Sequence, residues 1–235
     1  MFKEEFNKVA GAASAKNQLL KNNKLGYFIS SMLAGIYVGM AIMLIFTIGG
    51  LLTAAGSAAT KIIMGISFGG ALSLVVFAGS ELFTGNNFIM TVGSLNKAVS
   101  WIDTIKVWVA AFIGNLAGSI LAGYMFYLTG LAKGSVGEFI ANTAATKMSL
   151  PASELFFRGV FCNILVCLAV WCTFRCKDDI SKLVMIFWCL FIFITCGFEH
   201  SVANMFYYAF SDYNNLAAVT LGNILGGCFV AFSFK

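Results

Sequence analysis

One histidine stands in the chain, His200, inside an apolar run and beside a carboxylate, in "GFEHSVAN" (197–204). An unperturbed imidazole titrates near pH 6.5, so His200 is the side chain most able to exchange a proton near neutrality. A second apolar run holds Glu81 in "GSELFTGN" (79–86). Set one over the other, the segments pair Gly79 with Gly197, Glu81 with Glu199 and Asn86 with Asn204. Ionisable groups in apolar surroundings are costly and mark function or an anchored charge. A carboxylate repels anions but accepts hydrogen bonds from backbone N–H groups freed where a helix breaks. Glu81 and Glu199 therefore read as scaffold, and His200 as the residue that lines a path and shares a proton with what passes. Catalysis lacks partners here. A single His excludes HExxH, and no nucleophile-elbow motif is present, so no enzyme is expected. The seven Cys include no CxxC pair, and Cys162, Cys167, Cys172 and Cys176 scatter around a helix. They read as small apolar packers, with no metal or cofactor site.

The elements that position these groups belong in a lipid bilayer. Of 235 residues, 60% are hydrophobic and 11% charged, against about a quarter charged in a soluble domain. Abundant Gly with a single Pro, Pro151, favours close-packed helices over a β-barrel. A net charge of +5 would raise nucleic acid as a partner for a soluble chain. In a bilayer protein the positions of the charges decide more, and no nucleic-acid partner is expected. The polar opening stretch and the length of the first apolar run do not read as a cleavable signal peptide. Residues 2–22 form an amphipathic helix, lying on the membrane or docked on the bundle. Six apolar regions follow, at 25–52, 61–95, 104–131, 154–175, 183–210 and 214–233. The second and fifth exceed the roughly 20 residues of one crossing, and each is interrupted by an acid. Six crossings place Lys3, Lys8, Lys16, Lys21, Lys24, Lys97, Lys106, Arg175, Lys177, Lys182 and Lys235 on one side. Lys61, Lys133, Lys147 and Arg158 fall on the other. The excess sets both termini in the cytoplasm, with the chain in the cell (inner) membrane.

The paired motifs extend into a repeat. "GNLAG" (114–118) matches "GNILG" (222–226), and "GIYVGMA" (35–41) aligns with "NILVCLA" (163–169). "GIYVG" (35–39), "GISFG" (65–69), "GNLAG" and "GNILG" carry GxxxG spacing for close helix contacts, and Asn115 and Asn223 suit cross-helix hydrogen bonds. The single membrane domain, 1–235, thus divides into repeats at 25–131 and 154–233, joined by a connecting segment at 132–153. Three crossings invert the second repeat relative to the first. The predicted fold is an all-α integral membrane protein of two inverted three-helix repeats, its second and fifth helices broken near the midplane. Channels and transporters put their site there. The half-helix after each break points a partly positive N-terminus at the centre, which suits a small anion. The half-helix before it presents a negative end, so the net sign stays open.

These residues closely resemble the formate/nitrite transporter family. The resemblance runs over nearly the whole chain, through the broken second helix with ELFTGN, "RGVFCNILVCLAVW" (158–171) and "GFEHSVANMF" (197–206). Its nearest branch is that of the hydrosulfide channels. It implies an aquaporin-like protomer, assembly as a homopentamer and one pore per protomer. It implies passage of small anions, hydrosulfide first and formate or nitrite next, by a channel or, alternatively, by proton-coupled transport. It implies His200 as the central pore histidine, with Thr84 and Asn163 as polar residues near it. Leu72, Leu82 and Val166 match the apolar constriction on the cytoplasmic side, and Phe83 goes with them. Phe68 and Phe193 match the outer constriction, and Lys147 the lysine that draws anions into the vestibule. Lys147 and Arg158 together suggest an electrostatic funnel.

Overall fold

A computed structural model describes residues 2–210 and 215–235. Residue 214, where the sixth apolar region was expected to start, lies outside them. The described residues form helices and no strand: α1 (Lys3–Asn22), α2 (Lys24–Ala54), α3 (Thr60–Ser67), α4 (Gly70–Leu74), α5 (Phe83–Leu95), α6 (Trp101–Leu128), α7 (Gly134–Met148), α8 (Ala152–Arg175), α9 (Asp179–Cys196), α10 (Ser201–Asn204) and α11 (Leu216–Ser233). A π-helical turn, Val75–Gly79, extends α4, and a 3-10 turn, Met205–Ala209, extends α10. Six stretches are long and apolar enough to cross a membrane: α2, Thr60–Gly79, α6, α8, α9 and α11. Asp178 starts α9 by accepting the Ser181 N–H at 2.8 Å, and this bond holds its carboxyl below the usual range.

Small residues bring the crossings together. Gly114 of α6 meets Ser31 of α2 and Gly118 meets the backbone of Met32, where a Cβ on either would collide. Gly222 and Gly226 of α11 meet α8 at Phe156 and Val160 in the same way. The two pairings repeat one design, and the close approach explains the GxxxG spacing. Helix α1 buries Phe6, Val9, Ala10 and Ala13, and packs on α5, α2, α6 and α8. Of the two arrangements open to it, docking on the bundle is the one adopted.

Both broken crossings turn on a glycine. Gly79 ends the π-turn and Gly197 ends α9, each with φ +79°. This left-handed conformation costs an L side chain about 1–2 kcal/mol. The chain then runs extended through Ser80 and Leu82, or reaches His200 (φ −109°, ψ 118°), before a new helix begins. Helix α5 is buried from Phe83 to Ser94, whereas among the described residues its counterpart in the second repeat is the short α10 with its 3-10 turn.

Space around Gly79 is open, so the cost of a side chain there is confined to the backbone. Gly79→Ala should lower the apparent unfolding temperature of detergent-solubilised protein. Gly70→Ala, at a helical position with equal open space, should leave it unchanged or raise it. Equal melting of the two variants would contradict the strain at the break.

Candidate functional site

Breaking a helix inside a membrane frees backbone donors and acceptors that lipid cannot satisfy. Asn115 of α6 takes two of them, together with a carbonyl of the neighbouring crossing α2. Its Oδ1 accepts the Phe83 N–H at 2.8 Å, while Nδ2 donates to Ser31 O at 2.7 Å and Glu81 O at 2.9 Å. Asn223 of α11 does the same in the second repeat, with Ser201 N–H at 2.8 Å, Gly159 O at 2.8 Å and Glu199 O at 3.0 Å. This corrects the expectation that Glu81 and Glu199 hold the freed N–H groups. The break frees carbonyls as well as N–H groups, and a neutral amide serves both, whereas a carboxylate only accepts.

The two carboxylates hold side chains instead. Glu81 accepts Lys16 Nζ at 2.8 and 2.9 Å and Asn86 Nδ2 at 3.0 Å. Glu199 accepts Lys147 Nζ at 2.6 Å and Asn204 Nδ2 at 2.7 Å, and Lys147 also donates to Asn204 Oδ1 at 3.0 Å. Each break therefore carries a Lys–Glu–Asn cluster. Lys147 sits on α7, and Lys16, its counterpart on α1, was not foreseen. The signal was available: α1 precedes α2 as α7 precedes α8, and each carries a Lys in its second half. The repeats are thus wider than 25–131 and 154–233, since α1 and α7 each supply a member. The ammonium of Lys147 is committed to Glu199, which removes it as a free charge for drawing anions.

Two cavities meet at His200. A chamber of about 10 Å³ is lined by Val38, Phe68, Ala71, Leu72, Leu82, Val166, Leu190, Phe193 and His200. Five apolar positions expected for the pore, Phe68, Leu72, Leu82, Val166 and Phe193, come together there. Val38, Ala71 and Leu190 were not foreseen; nothing in their local sequence separates them from other core residues. A vestibule of about 940 Å³ lies on the other side of His200 and Phe193, which line both spaces. The Phe193 ring stacks on the imidazole (5.9 Å, 17°) and meets Phe68 edge-on at 5.5 Å.

Three expected residues lie outside the chamber lining: Phe83, Asn163 and Thr84, whose hydroxyl is reached only through its hydrogen bond to His200 Nε2. The Phe83 ring packs edge-on against Phe112 of α6 at 5.2 Å and does not line the chamber, because the backbone of Phe83 is tied to α6 through Asn115. Asn163 also lies outside the chamber lining. Its Nδ2 reaches Asn223 O at 2.6 Å, with Thr84 O and Asn87 Oδ1 each at 3.2 Å. It clamps α8 to α5 and α11 where Gly227 lets the helices approach.

His200 itself is held by two hydrogen bonds. Its Nδ1 accepts the Ala203 N–H at 3.1 Å, so the proton of the neutral ring belongs on Nε2, which lies 2.9 Å from Thr84 Oγ1. Nε2–H thus donates to Thr84 and leaves the threonine O–H free to donate onward. A proton added at Nδ1 would confront the Ala203 N–H. The imidazole is arranged to act as a fixed neutral donor, which departs from the expectation of a group that gains and loses a proton.

Removing one member of a charge cluster should be worse than removing the charge pair. Lys16→Met leaves Glu81, only 8% exposed, without its cation. The expected loss is about 2–3 kcal/mol, below the range for fully enclosed pairs because the Lys16 side chain is 17% exposed. Lys16→Met combined with Glu81→Gln should recover part of it. Thermal unfolding in detergent tests this, and additive losses in the double variant would refute the coupling.

This architecture is matched over almost its full length by known proteins. Nitrite transporter NirC of Escherichia coli (strain K12) is 40% identical over 245 residues, covering 97% of this chain and 88% of that protein. A probable formate transporter of Methanothermobacter thermautotrophicus is 37% identical, with 94% and 92% covered. A solved structure described as an FNT family ion channel superposes with a TM-score of 0.92 at 38% identity, covering 99% of this chain and 98% of that one. A pentameric formate channel with formate bound superposes at 0.74 and 28% identity, with 89% and 95% covered. Residues 3–234 match the family described as Formate/nitrite transporter, and the chain belongs to that family of membrane anion transporters and channels.

Proposed function

We propose that the protein is a channel passing a small monovalent anion, or its conjugate weak acid, with hydrosulfide preferred. The supporting observation is the chamber lined by Leu72, Leu82, Val166, Phe193 and His200. Its volume of about 10 Å³ is about that of one water-sized probe. Hydrosulfide carries one heavy atom, whereas nitrite and formate carry three. Nitrite is the second reading, favoured by the 40% identity to NirC.

The barrier is desolvation. Moving a bare anion into an apolar chamber costs many kcal/mol unless its charge is neutralised or hydrogen-bonded. Hydrogen sulfide ionises near neutrality, so hydrosulfide takes up a proton at little cost. Thr84 lies outside the chamber lining, one hydrogen bond away from His200, which lines it; its O–H, polarised by the imidazole N–H, is the donor proposed to meet the anion. His200 orients and strengthens that donor, and the proton that neutralises the anion comes from water in the vestibule. A homopentamer is the proposed assembly, by analogy with the pentameric formate channel. The Lys and Arg asymmetry supports cytoplasmic termini in the inner membrane.

Stopped-flow uptake into proteoliposomes tests the reading. Hydrosulfide should pass fastest, and chloride slowest; chloride passing as fast as hydrosulfide would overturn it. Thr84→Val and His200→Asn should each cut hydrosulfide flux about tenfold, the worth of one hydrogen bond of about 1.4 kcal/mol at the barrier. Unchanged flux and pH profile in both variants would remove Thr84 and His200 from the mechanism.

A further inference from the structure

The vestibule is lined by five charged side chains, Lys61, Glu138, Lys147, Arg158 and Glu199. Three of them are closed into pairs. Lys147 holds Glu199 at 2.6 Å, and Arg158 holds Glu154, one helical turn back, at 3.0 Å. Opposite charges that close act on a distant ion as a dipole, whose field falls off faster than that of a single charge. Lys61 and Glu138 are both exposed, and neither forms an ion pair among the described residues. Lys61 also lies in the first turn of α3, where a cation opposes the helix dipole. Helix stability therefore does not account for it. Apolar walls that include Ile42, Phe46, Met64 and Phe139 focus the field of such charges along the cavity.

We propose that Lys61 recruits the anion to the vestibule, and that Glu138 opposes it and limits the attraction. Lys147, to which the family resemblance assigned this task, is a structural cation of the break. This inference rests on the reading of the protein as a small-anion channel. It makes Lys61 a determinant of anion capture, separate from the chamber that sets selectivity.

Nitrite uptake into proteoliposomes at about pH 7.5 tests it, at about 10 mM and about 300 mM ionic strength. At low salt, Lys61→Gln should raise the half-saturating nitrite concentration about two- to fivefold. Glu138→Gln should lower it, and Lys61→Arg should behave as the wild type. Both shifts should vanish at high salt, where the screening length drops to about 6 Å or less. A wild-type concentration dependence for Lys61→Gln at low salt would overturn the proposal. So would a defect that persists at high salt or is not rescued by Arg, since either marks a packing role. Wild-type protein that passes none of nitrite, formate and hydrosulfide would overturn the channel reading itself, and this inference with it.

Discussion

A helix that stops halfway through a bilayer leaves peptide groups with no water to satisfy them, and this protein contains two such stops. Everything near the pore depends on how those groups are paid for. One asparagine at each break, Asn115 or Asn223, binds the first N–H of the new half-helix, the carbonyl of the preceding Glu and a carbonyl of the neighbouring crossing. Three elements are fixed by one neutral side chain. The helix carrying each asparagine must itself be in register, and Gly114, Gly118, Gly222 and Gly226 allow that by removing the Cβ atoms that would hold the backbones apart.

The Lys–Glu–Asn clusters add a second layer. Each places a cation from an amphipathic helix on a buried carboxylate, so α1 and α7 are bound to the breaks as well as packed against the bundle. A buried ion pair contributes little net stability, but half of one is costly. The clusters therefore commit the ends of the repeat to one geometry. They also close the charge of Glu81 and Glu199, so that neither carboxylate presents an unpaired negative charge to an anion nearby.

The fold was legible where sequence periodicity and bilayer thickness act directly. The overlong apolar runs at 61–95 and 183–210 were broken crossings, and the Gly–Glu–Asn pattern marked both breaks. Resemblance brought five apolar residues to one chamber from three separate regions. What stayed hidden was the direction of side chains. Phe83 and Asn163 have the chemistry and the neighbours of pore residues, yet Phe83 turns to Phe112 and Asn163 to the backbone of α5 and α11. A rotation of one position around a helix separates lining from clamping, and residue type does not encode it. Lys16 was hidden for another reason. It sits in a region of low internal hydropathy, outside the apolar segments compared for a repeat, so its likeness to Lys147 emerges only from their shared partners.

The symmetric scaffold supports an asymmetric pore. With Glu81 matched to Glu199, Leu82 falls opposite His200, and Thr84 opposite Val202. Each repeat thus carries one polar residue where the other carries an apolar one. The two polar residues bond to each other across the repeats, Thr84 Oγ1 to His200 Nε2 at 2.9 Å. Of the four, Leu82 and His200 line the chamber, whereas Thr84 and Val202 are buried outside its lining. The crossed bond therefore ties the half-helix of one repeat to the break of the other at the chamber wall, and the partner that orients the imidazole also fixes the spacing of the two breaks.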